Sequence, residues 1–506
     1  MADSSSVSRR RFLQTGALVT GAAAAAPIIT LARPSTAHAR VTPPDLYGRW
    51  IEPGQQGFAM AAWPNNARWA DVHPRAIAMC ANDVDVQRCI VWARQHGKTF
   101  VIRSGGHNYA GFSTVPDKWA PDLLIDVKAM NGVQLDKDNG LVTIQGGANN
   151  QDVASALRAY PWAVPSGRCP TVGASGLVLG GGWGFSATHA GLTCDSLVET
   201  KIVLADGRQV TLSGNDELFW AVRGGGGGNF GVHTSFTFKL HEVHDVTTFN
   251  IVWQPGKQVE LLSKLQSIQN ANARMISSRS KARPISAGAN PTRDDIVVET
   301  LGVYWGKADA LNEILAPLFN IQRTRSRDIY EMEYWRARDY LLTDDPVGMY
   351  QIKSSYVQDA LGEDALDRML TWMTRWPGGS LRQDNMGILF AIGGAVRDVR
   401  PEQTAYVHRN SNYIYEMEAN WAPMDKDDVV KRQREWLAAY FADMQKFVQP
   451  ESYVNFPDRD LPNWQRAYYG CNLDRLSRIK RKYDPSNLFK FAQSIPPAAK
   501  ADGACP

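Results

Sequence analysis

Three glycine-rich turns constrain the fold of this chain more than any other feature of its sequence. They cover residues 103–114, 167–184 and 223–231, and apolar, strand-like residues directly flank each one. Glycine removes side-chain bulk and permits positive φ, so a glycine-rich backbone can lie against a flat or phosphorylated ligand and point its N–H groups at it. One such turn is ordinary. Three within about 130 residues indicate that the backbone wraps around one large ligand.

Shorter nucleotide-binding motifs in the chain are incomplete. Residues 182–187 fit G-x-G-x-x-A, and residues 226–231 fit G-x-G-x-x-G. Neither segment opens a clear helix after a parallel strand with a correctly spaced acidic residue, so the sequence does not support a dinucleotide-binding Rossmann unit. The segment Gly97-Lys98-Thr99 lacks the upstream glycine of a phosphate-binding P-loop.

The six cysteines show neither a CxxC pair nor the Cys/His spacing of a metal site, and we predict no metal. Cys80 and Cys89 are close enough in sequence to form a disulfide if the protein is exported. Two buried free thiols explain the same pattern equally well. The sequence leaves both possibilities open.

The first 39 residues resemble a twin-arginine export signal. Arg9 and Arg10 are followed by an apolar, alanine-rich stretch and by Ala37-His38-Ala39, which offers the small residues that a signal peptidase reads. We therefore expect the twin-arginine machinery to export the folded protein to the periplasm or the medium, with Arg40 as the mature N-terminus. A basic helix on a membrane surface is the weaker alternative.

Charge and hydropathy argue against nucleic acid and membrane partners. The formal net charge is +4, of which the first 39 residues contribute +3 through four arginines and one aspartate. The remaining +1 is too small for a protein that binds a phosphate backbone. No other segment approaches the roughly 18 uninterrupted apolar residues that would span a bilayer, so we expect no stable membrane association.

The hydrophobic pattern predicts an α+β chain whose character changes near residue 244. We predict a helix at 84–95, capped by Asp83, and strands at 76–79, 99–102, 123–127, 141–145, 198–204 and 232–240. Glycine becomes sparser after this block. Strands at 295–304 and 412–421 then suggest a second domain built on an antiparallel sheet, and a basic helix at 473–482 ends before Asp484-Pro485.

Five ordered motifs resemble the berberine bridge enzyme-like oxidases. They are Arg103-Ser104-Gly105-Gly106-His107-Asn108-Tyr109, Gly167-Arg168-Cys169-Pro170-Thr171-Val172-Gly173 with Gly180-Gly181-Gly182, Phe219-Trp220-Ala221-Val222-Arg223 with Asn229-Phe230-Gly231, Tyr453-Val454-Asn455, and Tyr483-Asp484-Pro485-Ser486-Asn487-Leu488-Phe489. The resemblance runs from about Ala70 to Ile495. It implies FAD linked twice, through the ring 8α-methyl to His107 and through ring carbon 6 to Cys169.

The resemblance also implies a domain plan. A PCMH-type FAD-binding domain, as in vanillyl-alcohol oxidase, would cover residues 70–243, and a substrate domain with an antiparallel sheet backed by helices would cover 244–449. Residues 450–496 would return to the FAD domain. The implied cofactor-binding residues are His107, Cys169, Arg103, Ser104, Gly105, Gly106, Asn108, Gly167, Thr171, Val172, Gly173, Gly180, Gly181, Gly182, Val232, Tyr453 and Asn455.

Several positions depart from the family pattern or match it only in part. Leu177 stands where relatives commonly have a histidine, and Trp183 and Trp464 stand where many have active-site tyrosines. Tyr109 matches an active-site tyrosine, although it could be a packed aromatic residue. Val172 occupies the position of a gatekeeper for O₂, where a small branched residue implies access.

We look for the catalytic base on the strand at 412–421. Its period of two places Glu416 and Glu418 on one face, about 7 Å apart, and Tyr413 and Tyr415 on the other. Two carboxylates this close raise each other's pKa, which makes each a better base near neutral pH. The family places its variable catalytic acid on this strand, and Glu418 is the nearest match. A solvated acidic face is the alternative.

These observations predict a flavin-dependent oxidase. Hydride would pass from a hydroxyl-bearing carbon to FAD, Glu418 or Tyr109 would take the proton, and O₂ would be reduced to H₂O₂. Sixteen tryptophans suggest sugar stacking, although packing in the core is their commoner use. A carbohydrate or another alcohol is the first substrate class; an aromatic, alkaloid or polyketide metabolite, or a dehydrogenase with a different acceptor, is the alternative.

Overall fold

The first half of the chain forms two main sheets and a two-stranded ribbon. This computed structural model describes residues 42–285, 288–342, 348–381 and 385–497, so the predicted export signal lies outside the described residues. The strands are β1 (Arg49–Ile51), β2 (Ile77–Met79), β3 (Phe100–Arg103), β4 (Leu123–Asp126), β5 (Val133–Asp136), β6 (Leu141–Gln145), β7 (Trp162–Ala163), β8 (Leu197–Val203), β9 (Gln209–Ser213), β10 (Val232–Lys239) and β11 (His241–Glu242). The helices are α1 (Phe58–Ala62), α2 (Asp83–Gln95), α3 (Asn150–Leu157), α4 (Ala174–Leu179), α5 (Ala187–Ala190) and α6 (Glu217–Val222).

The two main sheets place the glycine-rich turns. The first has the order β1-β2-β4-β3, in which β2, β4 and β3 are parallel and β1 is antiparallel. The second has the order β5-β6-β10-β8-β9 and is antiparallel throughout. Strand β3 ends where the first glycine turn begins, and strand β10 begins directly after the third glycine turn. The first turn therefore begins at the end of an edge strand, and the third turn ends where the central strand of the second sheet begins.

Helix α2 lies where its apolar spacing predicted it. The predicted cap was wrong: Asn82, not Asp83, is the N-cap, and its side-chain oxygen accepts a hydrogen bond from the Asp85 N–H at 3.0 Å. Asn82 has an extended backbone, as a cap requires, whereas Asp83 is already helical and its charge favours the helix dipole. Cys80 and Cys89 are buried free thiols, and the hydrogen bond between them, with burial, raises the pKa of Cys80 well above its ordinary value.

The second half of the chain is dominated by a seven-stranded antiparallel sheet with the order β15-β12-β14-β13-β17-β18-β16. Its strands are β12 (Val246–Trp253), β13 (Ile276–Pro284), β14 (Ile296–Tyr304), β15 (Thr324–Met332), β16 (Met349–Val357), β17 (Met386–Ala391) and β18 (Tyr413–Trp421). The helices are α7 (Gln258–Ala271), α8 (Ala308–Ile321), α9 (Tyr334–Leu341), α10 (Glu363–Thr374), α11 (Asp427–Met444), α12 (Trp464–Tyr469) and α13 (Leu473–Tyr483).

Helices α7 and α11 cover one face of this sheet. The Tyr413 hydroxyl donates to the Gln266 carbonyl of α7 at 3.2 Å, and the hydroxyls of Tyr415 and Tyr440 of α11 are hydrogen-bonded. Even-numbered residues of β18 therefore lie on the opposite face.

The predicted α+β class is confirmed, and the predicted strands and helices are observed with ends that differ by one residue in most cases. The domain bounds at 243 and 449 remain predictions. Within the described ranges, no helix is both long enough and apolar enough to cross a membrane.

Candidate active site

A cleft with a volume of about 250 Å³ brings the three glycine turns and the C-terminal segment together. Its wall includes Ser104–Tyr109 from the first turn, Gly167–Cys169 from the second and Gly226–Asn229 from the third. Tyr453–Pro457 completes it from the C-terminal side. Segments that are far apart in sequence thus line one ligand-sized space.

The first turn carries His107 and Tyr109 and is fixed from behind by Trp69. The Trp69 indole N–H donates to the Tyr109 carbonyl at 3.1 Å. A Cβ at Gly111, where φ is 72°, would lie 2.5 Å from the Trp69 ring. Because the ring occupies that space and φ is positive, no larger residue fits at this point of the loop.

Arg103 was predicted to bind the cofactor, but it does not line the cleft. Its neighbours Ile102 and Ser104 do, whereas the Arg103 side chain is directed towards α1. There the buried guanidinium donates to the carbonyls of Ala61 at 2.8 Å and Ala62 at 3.0 Å. Arg103 thus binds the otherwise unpaired carbonyls at the end of α1.

The second turn carries Cys169 and is held by the N-terminal turn of α3. Asn150 donates from its side chain to the Cys169 carbonyl at 2.8 Å and from its backbone to the Val172 carbonyl at 3.0 Å. The Cys169 thiol is 5 % exposed and lines the cleft, as does Val172. Because these hydrogen bonds are made to the backbone carbonyls of Cys169 and Val172, they do not depend on the size of either side chain.

The first and second turns touch each other directly. A Cβ at Gly105 would lie 2.2 Å from the Gly173 nitrogen, and a Cβ at Gly173 would lie 2.2 Å from the Ser104 hydroxyl. Beside this contact, His107 Nε2 and Thr171 Oγ1 are 2.9 Å apart. Thr171 itself does not line the cleft, whereas His107 does.

Gly180, Gly181 and Gly182, which were predicted to bind the cofactor, are not among the residues that line the cleft. A Cβ at Gly180 would lie 2.1 Å from Asn455 Oδ1, and the Gly182 N–H donates to the Tyr453 hydroxyl at 3.0 Å. These glycines make room for the C-terminal segment. Tyr453 and Asn455 line the cleft, and burial raises the pKa of Tyr453 to about 12.

The third turn is anchored by a buried lysine. Lys480 Nζ donates to the Asn229 carbonyl at 2.6 Å, to Asp484 at 2.6 Å and to the Phe489 carbonyl at 2.8 Å. Asp484 in turn accepts the Phe489 N–H at 2.9 Å. The C-terminal helix thereby holds the turn that forms one wall of the cleft.

Sequence reasoning missed His233, which lines the cleft beside the predicted Val232. Its Nδ1 is 2.8 Å from Thr200 Oγ1, and that hydroxyl donates to the Ser235 carbonyl at 2.7 Å. Thr200 must therefore accept from His233 Nδ1–H. Burial lowers the pKa of His233 to about 3, so the imidazole is neutral.

Aromatic rings form the side of the cleft that faces the seven-stranded sheet. Tyr109 stacks on Phe456 at 5.4 Å and meets Tyr350 of β16 edge-on at 5.3 Å. Trp183 lines the cleft and packs on Phe390 of β17 at 4.8 Å.

Trp464 does not line the cleft, although its sequence position suggested that it would. Its ring lies 6.2 Å from that of Tyr468. Leu177, where relatives commonly have a histidine, does line the cleft.

Glu416 and Glu418 lie on the sheet face above these rings. In the register of β18 with β16, Glu416 is opposite Ser354 and Asn420 is opposite Tyr350. Ser354 accepts the Tyr453 N–H at 3.1 Å, and Tyr350 packs on Tyr109. Glu418 lies on the same face between these two positions and is half-buried, whereas Glu416 is 1 % exposed. Neither carboxylate is among the residues that line the cleft.

Comparisons with known proteins agree with this arrangement. Residues 74–213 match the FAD binding domain family, and residues 452–496 match the family described as berberine and berberine like. The Bacillus subtilis protein YgaK, named an uncharacterized FAD-linked oxidoreductase, is 32 % identical over 442 residues, which cover 85 % of this chain and 92 % of YgaK. The chain belongs to the berberine bridge enzyme-like family.

Solved structures of this family share the fold. Berberine bridge enzyme-like 1 of Physcomitrella patens is 27 % identical, with a TM-score of 0.80 over 90 % of this chain and 98 % of its own. Glucooligosaccharide oxidase of Acremonium strictum is 26 % identical, with a TM-score of 0.78 over 90 % of this chain and 98 % of its own. This berberine bridge enzyme-like protein is thus an FAD-dependent oxidoreductase with a PCMH-type FAD-binding fold.

The residues of the cleft fit FAD. Gly226 and Gly228 line it with φ of 83° and 75°, a backbone that can bring N–H groups against an anionic pyrophosphate. An imidazole and a thiol, both nucleophiles, line the same cleft at His107 and Cys169. The chain therefore supplies both a backbone cradle and reactive groups for this cofactor.

Proposed function

We propose that this protein is a secreted oxidase that holds FAD through His107 and Cys169 and oxidises a hydroxyl group of a carbohydrate or another alcohol. The observation that carries the proposal is the convergence of the His107 imidazole and the Cys169 thiol on one cleft, below a sheet face with two carboxylates. When bound, FAD supplies the hydride acceptor that amino-acid side chains lack.

The double attachment has support from a relative. Glucooligosaccharide oxidase of Acremonium strictum carries a 6-S-cysteinyl, 8α-N1-histidyl FAD. In this chain His107 and Cys169 lie on two turns whose backbones touch at Gly105 and Gly173. One cofactor ring can therefore meet both residues. We infer that Ser104–Asn108, Gly167, Val172, Gly173, Val232, Tyr453 and Asn455 surround it.

For the proton that leaves the substrate hydroxyl we propose Glu418 or Tyr109. Tyr109 lines the cleft, and Glu418 lies on the sheet face that carries Tyr350, whose ring packs on Tyr109. A carboxylate is the better base near neutral pH. Glu416 is more deeply buried and would act through Glu418. The aromatic rings of Tyr109, Phe456 and Trp183 suit the apolar face of a sugar, and they suit an aromatic metabolite as well.

The alternative functions are oxidation of an aromatic, alkaloid or polyketide metabolite and dehydrogenation with an acceptor other than O₂. A screen for peroxide release over carbohydrates, aromatic alcohols and amines separates the substrate classes. Release with sugars supports the proposal. Release only with aromatic substrates, or substrate oxidation without release of peroxide, favours an alternative.

We also propose that residues 1–39 direct export of the folded protein by the twin-arginine machinery. An export route that carries folded chains suits a protein that acquires its cofactor in the cytoplasm. The mature chain would begin at Arg40.

The double attachment predicts the behaviour of three variants. His107→Ala should keep flavin through Cys169, and Cys169→Ala should keep it through His107, because each bond alone survives denaturation. The double variant should release its flavin to the supernatant on acid precipitation. Absorbance of pellet and supernatant measures this. Flavin released from the denatured wild type would contradict the proposal.

Val172 gives a prediction about the reaction with O₂. Backbone bonds to Cys169 and Asn150 hold Val172 in the cleft wall, so Val172→Leu should leave the loop in place. One extra methylene in an apolar pocket commonly changes an energy by about 1–3 kcal/mol, so reoxidation by O₂ should slow by about tenfold or more. Anaerobic flavin reduction by substrate should stay nearly unchanged, and stopped-flow absorbance measures both steps.

Val172→Ala is the matched control, because it enlarges the same position and should not slow reoxidation. Equal slowing of both steps in Val172→Leu, or of neither, would show that Val172 only packs the loop. The oxidase assignment would then lose one of its supports.

A further inference from the structure

Thr171 is joined to His107 although it lies on the other attachment loop. Its Oγ1 is 2.9 Å from His107 Nε2. Thr171 is exposed, does not line the cleft and stands two residues after Cys169. Its hydroxyl thus contacts the imidazole of a cleft-lining residue without being part of the lining itself.

The contact between the loops restricts both partners. Gly105 lies two residues before His107, and Gly173 lies two residues after Thr171. These glycines are so close that neither could carry a side chain. His107 and Thr171 are thus each only two residues from the contact between Gly105 and Gly173. This contact restricts the distance between the imidazole and the hydroxyl.

We propose that Thr171 positions His107 for covalent attachment by accepting a hydrogen bond from Nε2–H. A neutral imidazole carries one N–H and one lone pair, so a proton held on Nε2 leaves the lone pair on Nδ1. Nδ1 is then the nitrogen that bonds the cofactor methyl carbon. This inference rests on the double attachment proposed above.

The step balances as an oxidation. The new N–C bond replaces one C–H bond of the methyl group and the one N–H bond of the imidazole. Both hydrogens leave as protons, and the two electrons pass through the flavin to O₂, which becomes H₂O₂. The Nε2 proton must stay on the ring until Nδ1 has reacted, and then depart. A hydroxyl that accepts a hydrogen bond from Nε2–H keeps this proton on Nε2 until Nδ1 has reacted.

The test separates the His107 link from the Cys169 link. Thr171→Val removes the hydroxyl and keeps the side-chain shape, and Thr171→Ser keeps the hydroxyl. Both are introduced into Cys169→Ala, where His107 is the one remaining attachment site, and into His107→Ala, where Cys169 is. The measurement is the fraction of flavin that stays with acid-precipitated protein, followed over time after induction.

In the Cys169→Ala background we expect Thr171→Val to slow the covalent attachment of flavin about tenfold, which is the scale of one lost hydrogen bond. Thr171→Ser should restore the rate. In the His107→Ala background neither change should alter retention. With both attachment residues present, Thr171→Val should keep its flavin through Cys169, and peptide mass spectra at early times after induction should show a larger share of unmodified His107 than in the wild type.

Three results would count against these statements in distinguishable ways. Unchanged retention in Thr171→Val with Cys169→Ala would overturn the inference and leave the double attachment intact. Equal slowing in both backgrounds would also overturn it, because the change would then disturb the whole loop pair. Complete release of flavin from the wild type would overturn the double attachment itself, and this inference with it.

Discussion

Glu418→Gln should slow flavin reduction by substrate about 10²- to 10⁴-fold, the range that a positioned general base contributes. The amide has the shape of the carboxylate and exchanges one acceptor oxygen for an N–H₂ donor, and it cannot take the substrate proton. Substrate affinity should change little. The measurement is anaerobic stopped-flow reduction with the best substrate from the peroxide screen, over a range of substrate concentrations.

The expectation rests on the register of β18. Ser354 and Tyr350, on the neighbouring strand, contact Tyr453 and Tyr109 of the cleft wall, and Glu418 lies on the same face between these two positions. Glu416 shares this face but is almost fully buried, so Glu416→Gln is the matched control and should have a smaller effect.

Tyr109→Phe tests the second candidate for the base. It keeps the stacking on Phe456 and removes only the hydroxyl. If Glu418→Gln retains the wild-type rate of reduction and Tyr109→Phe loses it, the base is Tyr109 and the role of Glu418 is wrong. If both are slow, the two groups share the proton.

Local patterns predicted the strands and helices well because they depend on neighbouring residues. The period of two placed Glu416 and Glu418 on one face of β18, and the hydroxyl contacts of Tyr413 and Tyr415 with α7 and α11 identify the opposite face. The cap of α2 was misplaced because Asn82 and Asp83 both suit the position chemically. The backbone conformation decides which of the two residues is the cap, and neither residue type determines that conformation.

The site was predicted to the level of its loops but not of each side chain. A shared motif indicates that a segment lies near the cofactor, whereas strand alternation and packing decide which residues face it. Arg103 turns to the carbonyls of α1, and Gly180 makes room for Asn455. No sequence motif indicated His233 or Phe456, because they line the cleft through contacts between segments that are distant in sequence.

Lys480→Met should lower the free energy of unfolding by about 3–5 kcal/mol, the cost of removing one partner from a buried ion pair. Lys480 and Asp484 are both 0 % exposed, and Lys480 also binds the carbonyls of Asn229 and Phe489. Methionine fills a similar volume but leaves the Asp484 charge and two carbonyls buried without this donor. Urea unfolding measures the change.

The same substitution should also loosen the glycine turn that lines the cleft. In a His107→Ala, Cys169→Ala background, where FAD would bind without covalent bonds, Lys480→Met should weaken its affinity as measured by fluorescence titration. Lys482→Met is the matched control, because Lys482 lies two residues along the same helix with an exposed side chain paired to Glu217. It should change neither stability nor affinity appreciably. Equal effects of the two substitutions would show that helix α13, rather than the buried pair, supports the turn.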